Sequence, residues 1–320
     1  MSMASLFTHS LGRPALAALA LSSIALAGCF PLDGKASRTL STVEAKPQAI
    51  TISSQFCDVE LTVSTGETVN VDAEVILETS GGNETAEREI ELVKVNVVRE
   101  GNTLIVRQGD PARTRSFTGT TSGSGHIRVA LPAGVPFVIS TASGAAKISG
   151  DFGAVEARIT SASGDIGGTF GAKTLTTKTS SGDVDITLLA PVDTFEWSGA
   201  SGSLHVKGTI GDAKLSAASG SITAFGLTGS CDVDVASGDV HLIFAKFDGA
   251  TNISARSASG SVWMEVPAGT APAGTVSTAS GDVKVELPFL AKSRGGTLTG
   301  TEGTLTVTTA SGDITLRTKK

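Results

Sequence analysis

Ser163-Gly164-Asp165-Ile166 and Ser181-Gly182-Asp183-Val184 are two copies of one short motif, and this motif decides the fold of the 320-residue chain. In each copy a Ser-Gly pair precedes one polar residue, Asp or Ser, and then one aliphatic residue. Full copies begin at Ser163, Ser181, Ser201, Ser219, Ser237, Ser259, Ser280 and Ser311, and weaker copies begin at Ser124 and Ser143. This spacing indicates a repeat of about twenty residues with insertions.

Apolar residues flank each motif at every second position, which is the period of a β-strand with one buried face. Ile186 and Val206 lie two residues after the aliphatic residue, and Leu175 and Phe195 lie six residues before the Ser. Each repeat therefore consists of a strand, a Ser-Gly corner and a second strand. Such a unit cannot bury its inner face alone, whereas copies stacked about 4.8 Å apart form a continuous core. The sequence predicts an all-β fold, a single-stranded parallel β-solenoid with coils of about 20 residues, and parallel crossovers favour the right hand.

The corner residues are the candidate structural sites. Glycine suits a backbone position that needs positive φ or close approach, and the adjacent Asp or Ser can bind free backbone N–H groups. The predicted corner residues are Gly164, Asp165, Gly182, Asp183, Gly202, Gly220, Gly238, Asp239, Gly260, Gly281, Asp282, Gly312 and Asp313. Asp165 and Asp183 on adjacent rungs, with Asp185 close by, leave calcium binding as the alternative. We favour the capping role because the Gly-Gly-x-Gly-x-Asp calcium repeat is absent from the sequence.

A family resemblance rests on these repeats together with Leu131-Pro132-Ala133-Gly134 and Val266-Pro267-Ala268-Gly269. The chain resembles the bacterial putative-adhesin domain family, a family of unknown function, over roughly residues 50–316. The resemblance implies a single-stranded β-helical protein, often a lipoprotein or otherwise associated with the cell envelope. It implies no catalytic residues.

The N-terminus is typical of an export signal. Arg13 precedes an apolar run from Ala15 to Leu26, which is too short to span a bilayer of roughly 30 Å comfortably. The sequence Leu26-Ala27-Gly28-Cys29 resembles the lipobox of bacterial lipoproteins, which implies that Cys29 becomes the acylated first residue of the mature chain. Several acyl chains together give a stable membrane anchor. A plain secretory signal with an accidental cysteine is the alternative.

The predicted organisation has four parts. These are a lipoprotein signal peptide (residues 1–28), a lipidated tether (29–48), an N-terminal β region with a hairpin that caps or starts the solenoid (49–115), and the repeat solenoid (116–320). Within the third part, Glu84–Glu91 fits either a short helix or an exposed loop. Arg317, Lys319 and Lys320 follow the last motif, and cations beside a terminal strand discourage edge-to-edge aggregation, so we expect this rung to form the free end.

Composition and spacing exclude several kinds of chemistry. The net charge of −6 and the scattered basic residues argue against a nucleic-acid partner. His205 and His241 are separated by one rung, about 10 Å, which is too far to share a zinc ion. Cys57 and Cys231, at about eight rungs or on the order of 40 Å, are too far apart for a disulfide. GxSxG, HExxH, Walker A and CxxC patterns are absent, so no catalytic residue, metal or cofactor is predicted.

These observations favour a non-enzymatic envelope lipoprotein that displays a rigid acidic solenoid as an adhesin-like surface for proteins or glycans. We expect the acyl chains to hold it in the outer membrane or at the cell surface, with a periplasm-facing position as the alternative. Two other functions stay open. One is a periplasmic sensor or scaffold that binds another envelope protein, and the other is a polysaccharide-acting β-helix enzyme, which needs carboxylates clustered with Arg or Lys in a groove.

Overall fold

The computed structural model describes residues 32–109 and 120–319. Over these residues the chain forms 26 β-strands in one hydrogen-bonded network with mostly parallel pairing, and one helix, α1 (Gly82–Ile90). The prediction of an all-β, solenoid-like fold is confirmed. The segment that sequence left open between helix and loop is helical. The predicted signal peptide and Cys29 lie outside the described residues.

The strand boundaries follow the repeats. The N-terminal strands are β1 (Gly34–Ala45), β2 (Ala49–Ser54), β3 (Asp58–Ser64), β4 (Thr68–Thr79), β5 (Val95–Glu100), β6 (Thr103–Gln108) and β7 (Thr121–Pro132). The middle strands are β8 (Phe137–Thr141), β9 (Ala146–Asp151), β10 (Glu156–Ser161), β11 (Ile166–Gly171), β12 (Thr174–Thr179), β13 (Val184–Leu188), β14 (Val192–Ser201), β15 (Leu204–Ser219) and β16 (Ile222–Leu227). The C-terminal strands are β17 (Cys231–Ser237), β18 (Val240–Phe244), β19 (Asn252–Ser259), β20 (Val262–Val266), β21 (Ala273–Ser280), β22 (Val283–Val285), β23 (Phe289–Lys292), β24 (Gly295–Thr299), β25 (Thr304–Ser311) and β26 (Ile314–Thr318).

Strands that precede a Ser-Gly corner stack on one another, and strands that follow a corner form a second stack. β10, β12 and β14 pair in parallel in the first stack, and β11, β13 and the start of β15 pair in parallel in the second. β15 serves both stacks, because Leu204–Lys207 pair with β13 whereas residues 210–219 pair with β14. The motif's aliphatic residues therefore lie in register, Val184 beside Leu204 and Leu204 beside Ile222.

The core lies between the two stacks. Alternate residues of β13, β17 and β18 are buried, as the period of two predicts. Most of the large aromatic side chains of the repeat region are placed in this core, where they fill space between columns of Val, Ile and Leu. The buried aromatic residues are Phe137, Phe152, Phe170, Phe195, Trp197 and Phe244.

The predicted tether contains a strand, which corrects the expectation for residues 29–48. β1 pairs antiparallel with β4 along its whole length, from Gly34 beside Thr79 to Ala45 beside Thr68, and β4 pairs antiparallel with β7. The inward positions of β1 include Arg38 and Thr42 as well as apolar residues, so the segment lacks the apolar alternation that marks a strand in sequence. Its partner β4 supplies that alternation and fixes the pairing.

The C-terminal rung does not form the free end. β25 pairs with both β19 and β21, and β26 pairs with both β20 and β22. The motif at Ser311 thus stacks directly on the motif at Ser259, and the motif at Ser280 lies outside it. The outermost rung is β21 with β22, and β21 also pairs antiparallel with β24, the partner of β23. The expected edge at Arg317 and Lys319 was wrong because near-identical repeats do not reveal their stacking order; Lys320 lies outside the described residues.

The corrected edge gives a prediction about self-association. Replacing residues 267–303 with a short Gly-Ser linker should retain a strand-rich circular dichroism spectrum, because β25 and β26 already stack in register on β19 and β20. It should also expose the far edges of β25 and β26 and promote edge-to-edge association. The double variant Arg317→Thr/Lys319→Thr is the control, since β26 is paired on both sides. Sedimentation velocity should show oligomers for the deletion and an unchanged profile for the control, and a monomeric deletion variant would refute the assignment.

Candidate functional site

The Ser-Gly corners stack so closely that they leave no space for a side chain. A Cβ atom at Gly182 would lie 2.2 Å from the carbonyl oxygen of Gly164, and one at Gly220 would lie 2.1 Å from that of Gly202. The same contact with the preceding rung recurs at Gly164, Gly202, Gly238, Gly260, Gly312 and Gly281. Gly220 also has a φ of +127°, whereas Gly182 lies outside the left-handed region. Close approach of the backbone is therefore the requirement shared along the column.

The Asp and Ser residues beside these glycines cap the next rung. Asp165 Oδ1 accepts a hydrogen bond from the Asp183 N–H at 2.9 Å, and Asp183 Oδ1 accepts one from the Ser203 N–H at 2.7 Å. Asp239 and Asp313 act in the same way on the amides of Ser261 and Asp282. The predicted corner residues thus form one continuous column. Within residues 32–109 and 120–319, no three acidic, His or Cys side chains group as ligands for a metal ion.

The two internal cysteines are buried and free. Burial, with a smaller contribution from the adjacent Asp58 or Asp232, raises the pKa of both the Cys57 and the Cys231 thiol to about 12. Cys57 occupies the corner position otherwise held by glycine, since a Cβ at Gly144 would lie 2.0 Å from its carbonyl oxygen. Six rung steps separate the two residues, about 29 Å, and not the eight expected from sequence, because β4 to β7 form an excursion and add no rungs between them.

A chain of aromatic rings crosses the outer face of the second stack. We call His205, Phe225, His241 and Trp263 the aromatic patch. The Phe225 ring lies between the two histidines, with centroid distances of 5.5 Å to His205 and 5.4 Å to His241, and His241 meets Trp263 edge to face at 4.0 Å. The histidines therefore do not converge on a shared ligand. Phe225, His241 and Trp263 are half-buried and His205 is exposed.

Sequence reasoning found the two histidines but missed the patch. His205, Thr223, His241 and Trp263 occupy one outward column, and Phe225 follows Thr223 by two residues. On the rung that carries Thr223, the Phe225 ring therefore bridges His205 and His241. Reading two neighbouring outward columns together, and not one, would have revealed the cluster.

The charges around the aromatic patch are of both signs. Burial lowers the pKa of His241, although the nearby Glu265 carboxylate opposes this effect, so the ring is neutral at pH 7. In the register of the second stack, Asp185 lies beside His205, Lys207 beside Phe225 and Arg317 beside Glu265. These four charged side chains form no ion pair with another residue in the described part of the chain.

Two of the clefts that lie away from the aromatic patch in the described structure bring charged residues together. One, of about 530 Å³, lies between β1 and β5, and its Arg38 binds the Glu91 carboxylate at 2.6 Å. Hydrogen bonds from Lys94 and Arg38 lower the pKa of Glu91. Its lining contains no Cys, His or Ser side chain among the described residues.

The other cleft is a shallow groove of about 580 Å³ across β15, β17, β19 and β25. It brings together four charged residues that appeared scattered in the sequence, Asp212, Lys214, Asp232 and Arg256. Asp212 Oδ1 accepts the Ser230 N–H at 2.9 Å, and Asp232 pairs with Arg256 at 3.6 Å. Both carboxylates therefore already make contacts within the protein.

The corner contact predicts the cost of a single methyl group. Gly182→Ala should destabilise the protein by about 2–4 kcal/mol, because its Cβ would collide with a backbone oxygen that cannot move without shifting the rung. Gly249→Ala is the matched control, since a Cβ there meets nothing within 4 Å. Thermal denaturation followed by circular dichroism should separate the two variants clearly. Equal midpoints would refute a steric role for the corner.

The raised pKa values predict unreactive thiols. In a Cys29→Ala chain at pH 8, iodoacetamide should leave Cys57 and Cys231 unmodified, because a thiol whose pKa is about 12 holds almost no thiolate at that pH. Adding denaturant should lead to modification of both residues, since it removes the burial that raises the pKa. Mass spectrometry of the intact chain gives the number of modified cysteines. Rapid labelling of either residue in the folded protein would contradict the burial described here.

In the described part of the chain, no helix has the length and apolar character needed to cross a membrane. No curated protein sequence matches this chain. A structure of a putative lipid binding protein from Parabacteroides distasonis is similar to it at 16% identity and a TM-score of 0.51, covering 90% of this chain and 97% of the other.

Two further structures cover the chain as fully but superpose less well. A putative adhesin from Parabacteroides distasonis has 16% identity and a TM-score of 0.46, with 90% and 98% of the two chains covered. A putative adhesin from Bacteroides fragilis has 13% identity and a TM-score of 0.42, with 89% and 97% covered. The family model described as Toastrack DUF4097 matches residues 47–317. Because this match spans most of the 320 residues, the chain belongs to the Toastrack DUF4097 family.

Proposed function

We propose that the protein is a non-enzymatic envelope lipoprotein whose solenoid serves as an adhesin-like binding surface for a protein or a glycan. The observation that carries this proposal is the aromatic patch, which presents rings on the outer face of a rigid stack. The glycine contacts and Asp caps hold successive rungs in fixed register. A surface held in this way loses little conformational entropy when a partner binds, which favours affinity.

Attachment to the membrane belongs to the same proposal. Cys29, acylated after cleavage of residues 1–28, would hold the protein in the outer membrane or at the cell surface. With a net charge of −6, the chain gains no attraction to anionic headgroups, so the acyl chains must supply the anchor. We also propose that the solenoid is right-handed with coils of about twenty residues, as parallel crossovers favour.

The charged groove across β15 to β25 favours a different function, that of a polysaccharide-acting enzyme. It places Asp212 and Asp232 close to Lys214 and Arg256, which is the combination that such chemistry needs. We retain the non-enzymatic proposal because each of these carboxylates is engaged, Asp212 with a backbone amide and Asp232 with Arg256. Turnover of a polyuronate by the purified protein, abolished by Asp232→Asn, would establish the enzyme instead.

The location can be tested by membrane fractionation and protease treatment of intact cells. The wild-type protein should sediment with membranes and be cleaved on intact cells, whereas Cys29→Ala should leave the membrane fraction because it cannot be acylated. Cys231→Ala is the matched control, since this buried thiol plays no part in anchoring. Membrane attachment with protection from protease would favour the periplasmic sensor or scaffold. A Cys29→Ala protein that stays in the membranes would overturn the anchor.

A further inference from the structure

The aromatic patch is the longest run of ring contacts in the described structure. It links four rings across the rungs of β15, β16, β18 and β20, whereas most of the aromatic residues of the repeats are buried in the core. Ring surface left on the solvent side adds nothing to the core. Packing inside the solenoid therefore does not account for the patch.

The chemistry of the patch fits a sugar. An aromatic face carries partial negative charge and attracts polarised C–H groups, such as those on one face of a pyranose ring. Around the rings lie Asp185, Lys207, Glu265 and Arg317, which can accept or donate hydrogen bonds to hydroxyl groups. The combination of ring faces and charged hydrogen-bonding groups is complementary to a molecule that has both apolar faces and many hydroxyls.

The dimensions of the patch favour an oligosaccharide over a protein. Three rung steps of about 4.8 Å give the patch a length of about 14 Å, and it is two residues wide along the strands. A stable protein interface needs about 800 Å² on each partner, which is several times this area. The rung spacing is also similar to the size of one pyranose ring, so successive sugars would meet successive rungs.

The charges of the patch favour a neutral ligand. Two carboxylates and two cationic side chains surround the rings, so the patch has no excess of one sign. The neutral His241 ring adds no charge. An acidic polymer such as a nucleic acid would be repelled by the two carboxylates. A lipid tail would cover the four charged groups and offer them no hydrogen-bond partner.

We propose that the aromatic patch binds a neutral oligosaccharide that lies along the solenoid axis, with Trp263 and Phe225 as stacking platforms. This inference rests on the proposed function as a binding surface, and it names the ligand class and the site. Asp185, Lys207, Glu265 and Arg317 bind the hydroxyl groups of the sugar and set its orientation.

The two tryptophans make the inference directly testable. Trp197 is buried, so acrylamide quenching in the full chain in detergent solution reports mainly on Trp263. Titration with cellohexaose and chitohexaose should produce a saturable change in fluorescence and protect Trp263 from acrylamide. In calorimetric titrations, Trp263→Ala and Phe225→Ala should each weaken the binding by about tenfold or more, as expected for ring contacts at the centre of a site.

The control is Leu290→Ala, which removes an exposed apolar side chain on β23, away from the patch. It should bind as the wild type does, and circular dichroism should show that all three variants are folded. The inference is overturned if neither saccharide binds, if Trp263→Ala and Phe225→Ala bind unchanged, or if the patch instead cross-links to a protein. That last result would leave the proposed binding function intact, whereas loss of surface anchoring would defeat the proposed function without affecting saccharide binding.

Discussion

The whole solenoid depends on one contact, that between the carbonyl oxygen of a corner glycine and the α-carbon of the corner glycine in the next rung. Parallel strands must approach within about 4.8 Å along their full length, and the corner is the place where a side chain would hold them apart. Glycine removes that obstacle at Gly164, Gly182 and each later rung. The inward columns of Val, Ile and Leu can close into a continuous core only because the corners permit this spacing.

The Asp and Ser side chains at the corners add hydrogen bonds to the close backbone contact that glycine permits. Where the chain turns at a corner, a backbone N–H points along the axis with no strand partner of its own, and the side chain from the neighbouring rung accepts it. Ala145 occupies this column without an acceptor, so the cap is not essential at every rung. Glycine is thus required at the corners from Gly144 onward, whereas the first corner holds Cys57, and the polar residue adds stability and register.

Much of this architecture could be predicted from the sequence because the residues that determine it lie close together in the chain. The period of two, the corner glycines and the inward aliphatic residues each follow from neighbouring positions within one repeat. The position of β1 could not be predicted, because its pairing depends on β4. The stacking order of the last two repeats could not be predicted either, because both carry the same motif. The aromatic patch combines residues from four strands, and Phe225 joins it from a neighbouring column whose other members are not aromatic: Thr187, Lys207, Ile243, Glu265 and Arg317.

The interposed C-terminal rung has a consequence for how the molecule reaches its native state. Residues 304–318 lie between two layers that are both synthesised earlier, β19 with β20 and β21 with β22. The outermost layer cannot take its final place until the later segment has arrived beneath it. Growth of the stack from the N-terminus can therefore proceed rung by rung only as far as β20. Completion requires a non-sequential step, in which a distant piece of chain docks first and an older one closes over it.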